Sequence, residues 1–103
     1  MQYLIEINDT PNQEFSVNIN ETDMLIHIRE ADGLMLFSLT INGETLCPDT
    51  ICCSNQGILP YPYMVSEAGC NFYFLTEDEN YPYYTDFGKT CFLYAITEDE
   101  ING

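Results

Sequence analysis

The feature that most constrains this chain is a two-residue alternation of apolar and polar side chains, repeated in segments too short for helices. From Glu14 to Asn20, Phe15, Val17 and Ile19 alternate with Ser16, Asn18 and Asn20. Met24 to Arg29 repeats the pattern, with Met24, Ile26 and Ile28 on one face and Leu25, His27 and Arg29 on the other. Successive side chains of a strand point to opposite faces, so this period predicts half-buried strands. Leu34 to Ile41 is apolar on both faces, which predicts a central strand. Tyr3 to Ile7, Asn71 to Thr76 and Cys91 to Ile96 read as further strands.

The breaks between them are turn chemistry. Thr10-Pro11-Asn12 ends the first strand, Glu21 to Asp23 is a polar turn, and Ala31-Asp32-Gly33 is another. Asn42-Gly43 predicts a two-residue type I′ hairpin, because both central positions need positive φ. Glu44 to Cys47 then runs back antiparallel, Pro48 stops it, and Thr50 to Cys53 resumes it. Ser54 to Gly69, with Pro60 and Pro62, reads as loop with at most one helical turn near Met64 to Ala68. Tyr81 to Gly88 is an aromatic connection, and Thr97 to Gly103 an acidic tail expected to fray. No amphipathic helix separates the strands. The expected class is all-β: one domain over residues 1–103, a small antiparallel β-sandwich or partly open barrel.

Composition decides that this domain folds and restricts its partners. The 46% apolar and 14% aromatic content is too rich for a disordered chain despite a net charge of -15. At 103 residues, roughly two-thirds of the unfolded surface can be buried. Seventeen carboxylates face two cations, Arg29 and Lys89, so most acids must stay solvated or meet cations elsewhere. Affinity for a phosphate backbone or an anionic membrane comes from Lys and Arg, so direct nucleic-acid binding and membrane binding are both disfavoured. A protein with a basic face is the natural complement. Met1 to Thr10 lacks the basic and apolar regions of a signal peptide, which predicts synthesis in the cytoplasm.

Residues capable of chemistry are few. His27 is the only histidine and lies mid-strand, without a nucleophile elbow or phosphate loop to accompany it, and reads as a surface or rim residue. Cys47, Cys52 and Cys53 with Cys70 or Cys91 could supply thiolates to zinc, but lack paired C-x-x-C spacing and fall beside apolar strands; they read as reduced, buried thiols. Glu77-Asp78-Glu79 with Asn80 and Asp86 offers oxygens to a hard cation without the calcium-loop pattern, and reads as a solvated turn. No cofactor, metal or catalytic residue is predicted. The feature most suggestive of an interface is aromatic: Tyr61, Tyr63, Tyr81, Tyr83, Tyr84 and Phe87, since tyrosine joins apolar area to a polar tip. The same rings could instead cap the open end of a barrel.

The order of segments also resembles a known family. Ile5-Glu6-Ile7 followed by Thr10-Pro11-Asn12-Gln13-Glu14-Phe15-Ser16-Val17 is similar to the start of small phage proteins described as baseplate plugs. Gly33-Leu34-Met35-Leu36, Ile41-Asn42-Gly43-Glu44-Thr45-Leu46, Leu59-Pro60-Tyr61 and Phe72-Tyr73-Phe74-Leu75-Thr76-Glu77-Asp78 resemble their middle. Tyr84 to Phe87-Gly88, Thr90 and Leu93-Tyr94 resemble their end. The resemblance implies an all-β virion component of a contractile tail, a plug in the baseplate hub beside the spike, and not an enzyme; combined with the net charge it predicts docking on hub and spike proteins with basic surfaces. The competing class is an acidic DNA mimic or inhibitor that binds a host nucleic-acid-binding protein.

Overall fold

The alternating segments become strands, and the turns between them decide which ones pair. The computed structural model describes residues 2–19, 21–77 and 81–102. In chain order the elements are β1 (Gln2–Ile5), β2 (Asn12–Ile19), β3 (Thr22–Ala31), β4 (Leu34–Ile41), β5 (Glu44–Ile51), α1 (Pro62–Ala68), β6 (Cys70–Thr76), a 3₁₀ turn (Tyr84–Asp86), β7 (Cys91–Thr97) and α2 (Glu98–Asn102). β2 to β5 form a meander in the order β2-β3-β4-β5, while the second sheet has the order β1-β7-β6. All these strand pairs are antiparallel, and the two sheets stay separate rather than closing into a barrel. The protein is therefore a small all-β sandwich.

Two hairpins owe their register to local conformation. Asp32 and Gly33 have φ of 52° and 82°, and Asn42 and Gly43 have 54° and 81°, the paired positive values of a type I′ turn. Both turns twist in the sense of their flanking strands, so β3, β4 and β5 continue one sheet. Because a one-residue slip would turn every side chain over, this register puts Met24, Ile26 and Ile28 of β3 beside Met35, Phe37 and Leu39 of β4, all buried on one face.

That face meets Ile5, Phe72, Phe74, Leu93 and Ala95 of the three-stranded sheet in a single buried cluster. Phe37 and Phe72 touch across the layers, with ring centroids 5.2 Å apart and planes tilted by 43°. Each fully buried side chain of this size contributes about 1.5–3 kcal/mol by leaving water. The core thus accounts for the sandwich without a disulfide, and all five cysteines are free.

The structure corrects the sequence reading in three places. Pro48 does not stop β5. Leu39 pairs with Cys47 and Phe37 with Thr50, so Pro48 and Asp49 together oppose only Ser38 in a β-bulge. β5 is an edge strand, where a missing N–H is tolerated, and the Thr50 hydroxyl closes the bulge by donating to the Pro48 carbonyl at 2.8 Å. The second correction is α1, which runs over seven residues where loop with at most one helical turn near Met64 to Ala68 was expected. Pro62 occupies the start of the helix, Gly69 ends it with φ of 77° and an N–H to the Val65 carbonyl at 2.8 Å, and Met64 and Ala68, one turn apart, enter the core. Third, Thr97 belongs to β7 and is 2% exposed, and the residues after it begin a short helix. The Glu98 N–H bonds the Gly69 carbonyl at 2.9 Å, and the Ser66 hydroxyl donates to Glu98 at 2.8 Å.

Candidate interaction surfaces

Strand β4 crosses the sandwich from the Asp32-Gly33 turn to the Asn42-Gly43 turn, and it separates the aromatic residues singled out in the sequence into two groups. Tyr61 and Tyr63 flank the start of α1 at the Asn42-Gly43 end. Their rings stack with centroids 6.0 Å apart, and they are 57% and 61% exposed. Tyr63 lines a cleft of about 470 Å³ with Asn42, Leu46 and Glu67, while Tyr61 lines another with Pro60, Ser66 and Glu98.

Tyr81, Tyr83 and Tyr84 lie at the opposite end. Tyr81 is 62% exposed and stands beside Cys53, Ser54 and Gln56. Tyr83 and Tyr84 are half-buried against the core, their rings 4.8 Å apart. The Tyr83 hydroxyl donates to Glu30 at 3.4 Å, and the Gly33 N–H donates to the same carboxylate at 2.9 Å. Burial and the adjacent Glu30 charge push the Tyr83 phenol above its ordinary pKa. This pair closes the end of the sandwich at the β3–β4 turn. Phe87 is a correction to the expected interface set. It is buried and stacks on Phe74 at 5.5 Å, so it is a core residue rather than part of an exposed surface.

The remaining candidates resolve similarly. His27 points outward from β3, with Nε2 2.8 Å from the Asn12 side-chain oxygen on β2. Cys47, Cys52, Cys70 and Cys91 are buried, and Cys53 is half-buried. Burial pushes the Cys70 thiol up to about 12 and raises Cys52 further above its ordinary value, with Cys53 and Cys91 adding to the effect on Cys52. Such thiols stay protonated and are poor metal ligands or nucleophiles. Among the described residues, no group of three His, Cys, Asp or Glu side chains is arranged to hold a metal ion. The acidic segment considered for calcium has Asp78, Glu79 and Asn80 outside the described residues.

Charge and apolar surface are distributed unequally over the two sheets. Arg29 meets Asp49 through Nε at 3.1 Å and Nη2 at 2.6 Å, and Lys89 lies 3.5 Å from Asp9. Both cations, Arg29 and Lys89, therefore have carboxylate neighbours within the chain. The outward side of β2 is polar, with Asn12, Glu14, Ser16 and Asn18 exposed. The outward side of the β1-β7-β6 sheet is not. It carries Leu4, Tyr73, Leu75, Phe92, Tyr94 and Ile96, none of them buried. Sequence reasoning missed this face because it weighed the tyrosine-rich connection instead. The signal was present: Asn71 to Thr76 and Cys91 to Ile96 are apolar at both alternating positions, whereas a sheet with one solvated face shows apolar residues at only one.

A sandwich with a net charge of -15 and one apolar outer face has the surface of a component that fits into an assembly. A sequence profile for the family described as cyanophage baseplate Pam3 plug gp18 matches residues 1–98. The chain belongs to this baseplate plug family. Membership makes it a structural component of a phage tail baseplate, in contact with other baseplate proteins. Among curated proteins, none matches the chain.

Proposed function

We propose that this baseplate plug protein occupies the hub of a contractile tail and acts by docking on hub and spike subunits with basic surfaces, without catalysing a reaction. The family match over residues 1–98 carries the reading. The charge supports its direction: a surface at -15, with Arg29 and Lys89 both beside carboxylates, attracts a basic partner at long range. The same charge keeps a plug near the tail axis from adhering to DNA, since like charges repel. Tyr61, Tyr63 and Tyr81 present most of their rings to solvent and would add contact area, while Tyr83 and Tyr84 support the fold beneath them.

Mass spectrometry of purified phage particles tests this reading. The protein is expected in isolated tails at a fixed ratio to other baseplate proteins, after synthesis in the host cytoplasm. Detection only in the infected-cell lysate, together with inhibition of a host nuclease, would replace the plug with the DNA-mimic alternative. Retardation of duplex DNA by the pure protein at physiological salt would contradict the proposed indifference to DNA.

A further inference from the structure

The outward columns of the three-stranded sheet share one pattern. β1 presents Leu4, with Glu6 just past its end; β7 presents Phe92, Tyr94 and Ile96, then Glu98; β6 presents Tyr73 and Leu75, then Glu77. Leu4 pairs with Tyr94 and Tyr94 with Tyr73, a row across all three strands, Leu75 pairs with Phe92 beside it, and Ile96 lies between Gln2 and Asn71. Each column ends on a glutamate: Glu6 and Glu77 at one margin, Glu98 at the other. Leu4 at 55% and Leu75 at 39% exposure are open to water, and the middle of the face holds no charge in a chain at -15.

We propose that this face is the principal docking surface, and that it takes a baseplate protein whose own surface is apolar at the centre and carries lysine or arginine around the rim. This rests on the docking reading above and adds which side of the sandwich is used. Charge complementarity selects the partner. Three glutamates frame the apolar rows, Arg29 belongs to the other sheet, and Lys89, the cation nearest the Phe92 end, is engaged by Asp9. A second copy of this chain would bring glutamate against glutamate at -15 per protomer, so self-association is disfavoured. A partner with a basic rim satisfies both parts of the surface, with apolar area giving affinity at the desolvated centre and charge fixing orientation at the rim.

The test co-expresses the full chain with the baseplate proteins of its own phage and measures which are co-purified. Leu4→Asp with Leu75→Asp should reduce recovery about tenfold or more, the loss expected from placing charge in a desolvated centre. Ser16→Asp with Leu25→Asp, paired on the outward side of β2 and β3, adds the same charge to the other sheet and should leave recovery within about twofold. Thermal melting of both double variants establishes that each is folded. Zero-length carbodiimide coupling of the wild-type complex needs no variant, and should join Glu6, Glu77 or Glu98 to partner lysines. Equal recovery of the two double variants would overturn the proposal, as would cross-links confined to Glu14, Asp23 and Glu44, or cross-links to Lys89 of a second copy. Failure of the wild-type chain to retain any baseplate protein would overturn the docking reading itself, and this face with it.

Discussion

At the scale of single residues, buried polar groups decide more than exposed charges. Asn71 is 7% exposed on β6, yet its side-chain oxygen accepts from the Leu59 N–H at 2.9 Å and the Phe72 N–H at 2.7 Å. Its amide donates to the Leu59 carbonyl at 3.3 Å. This side chain joins the backbone bonds from Asn55 to Phe74 and from Ile58 to Phe72 in holding the segment after β5 against the sheet. Asn71→Leu should cost about 2–4 kcal/mol in urea denaturation, because it strands buried backbone groups; a loss below about 0.5 kcal/mol would show that water replaces it. The thiols yield two further predictions. An aromatic disulfide reagent should titrate a single cysteine in the native protein, Cys53, and all five after unfolding, since the other four are buried. The buried thiols also set an alkaline limit. Cys70 is raised to about 12 in the fold, whereas the unfolded chain titrates near its ordinary value of about 8.5. Above that value the unfolded state releases a proton that the folded state keeps. This contribution to stability is complete below about pH 8.5 and is lost as pH rises toward 12. The urea midpoint should therefore fall between pH 7 and pH 10, and fall less in Cys70→Ala.

At the scale of elements, the hairpins were legible and the connections were not. Asn42-Gly43 and Asp32-Gly33 announce their turns through residues that tolerate positive φ, and the alternation in β3 names its buried face directly. Pro48 misled because the rule against proline in strands applies to central strands, and only the pairing reveals that β5 lies at an edge. α1 was hidden because seven residues are too few to show a helical period. Pro62 before it and Gly69 after it were the usable signals. The aromatic group failed as a unit for a related reason: neighbours in sequence from Tyr81 to Phe87 alternate between surface and core, and Tyr61 and Tyr63 sit at the other end of β4. Two glycines test which connections depend on conformation and which on space. A Cβ added at Gly43, where φ is 81°, meets nothing within 4 Å, so Gly43→Ala should cost about 1 kcal/mol through backbone strain alone. A Cβ at Gly57 would run into the Asn71 carboxamide. Gly57→Ala should therefore cost more than Gly43→Ala and should add little in an Asn71→Ala background, where the obstructing carboxamide is gone. Full additivity of Gly57→Ala and Asn71→Ala would separate the two sites and refute the coupling.

At the scale of the whole molecule, charge opposes the fold that the core supports. The sandwich must hold seventeen carboxylates and two cations on a body with a radius of gyration of 12.6 Å, smaller than the range over which charges interact at low salt. The Debye length is about 30 Å at 0.01 M and about 3 Å at 1 M ionic strength, so salt converts a repulsion felt across the molecule into one felt only between neighbours. Two attractions oppose this trend. The Arg29–Asp49 and Lys89–Asp9 pairs are also screened, but both are exposed and contribute at most about 1 kcal/mol each. Fifteen uncompensated charges outweigh two exposed pairs, so the net sign is stabilisation. The melting temperature should rise with sodium chloride, steeply below about 0.2 M and then level off as the Debye length falls under the spacing between carboxylates. A gain of about 1 kcal/mol would appear as roughly 4–8 °C in a domain of this size. Screening and salting-out predict different curves, since strengthened apolar burial keeps rising with concentration and is larger for sulfate. A plateau reached equally by chloride and sulfate at matched ionic strength identifies self-repulsion as the cause. A flat or falling curve would mean that the acidic surface costs the free protein nothing, and that a basic partner gains no stabilising effect from neutralising it.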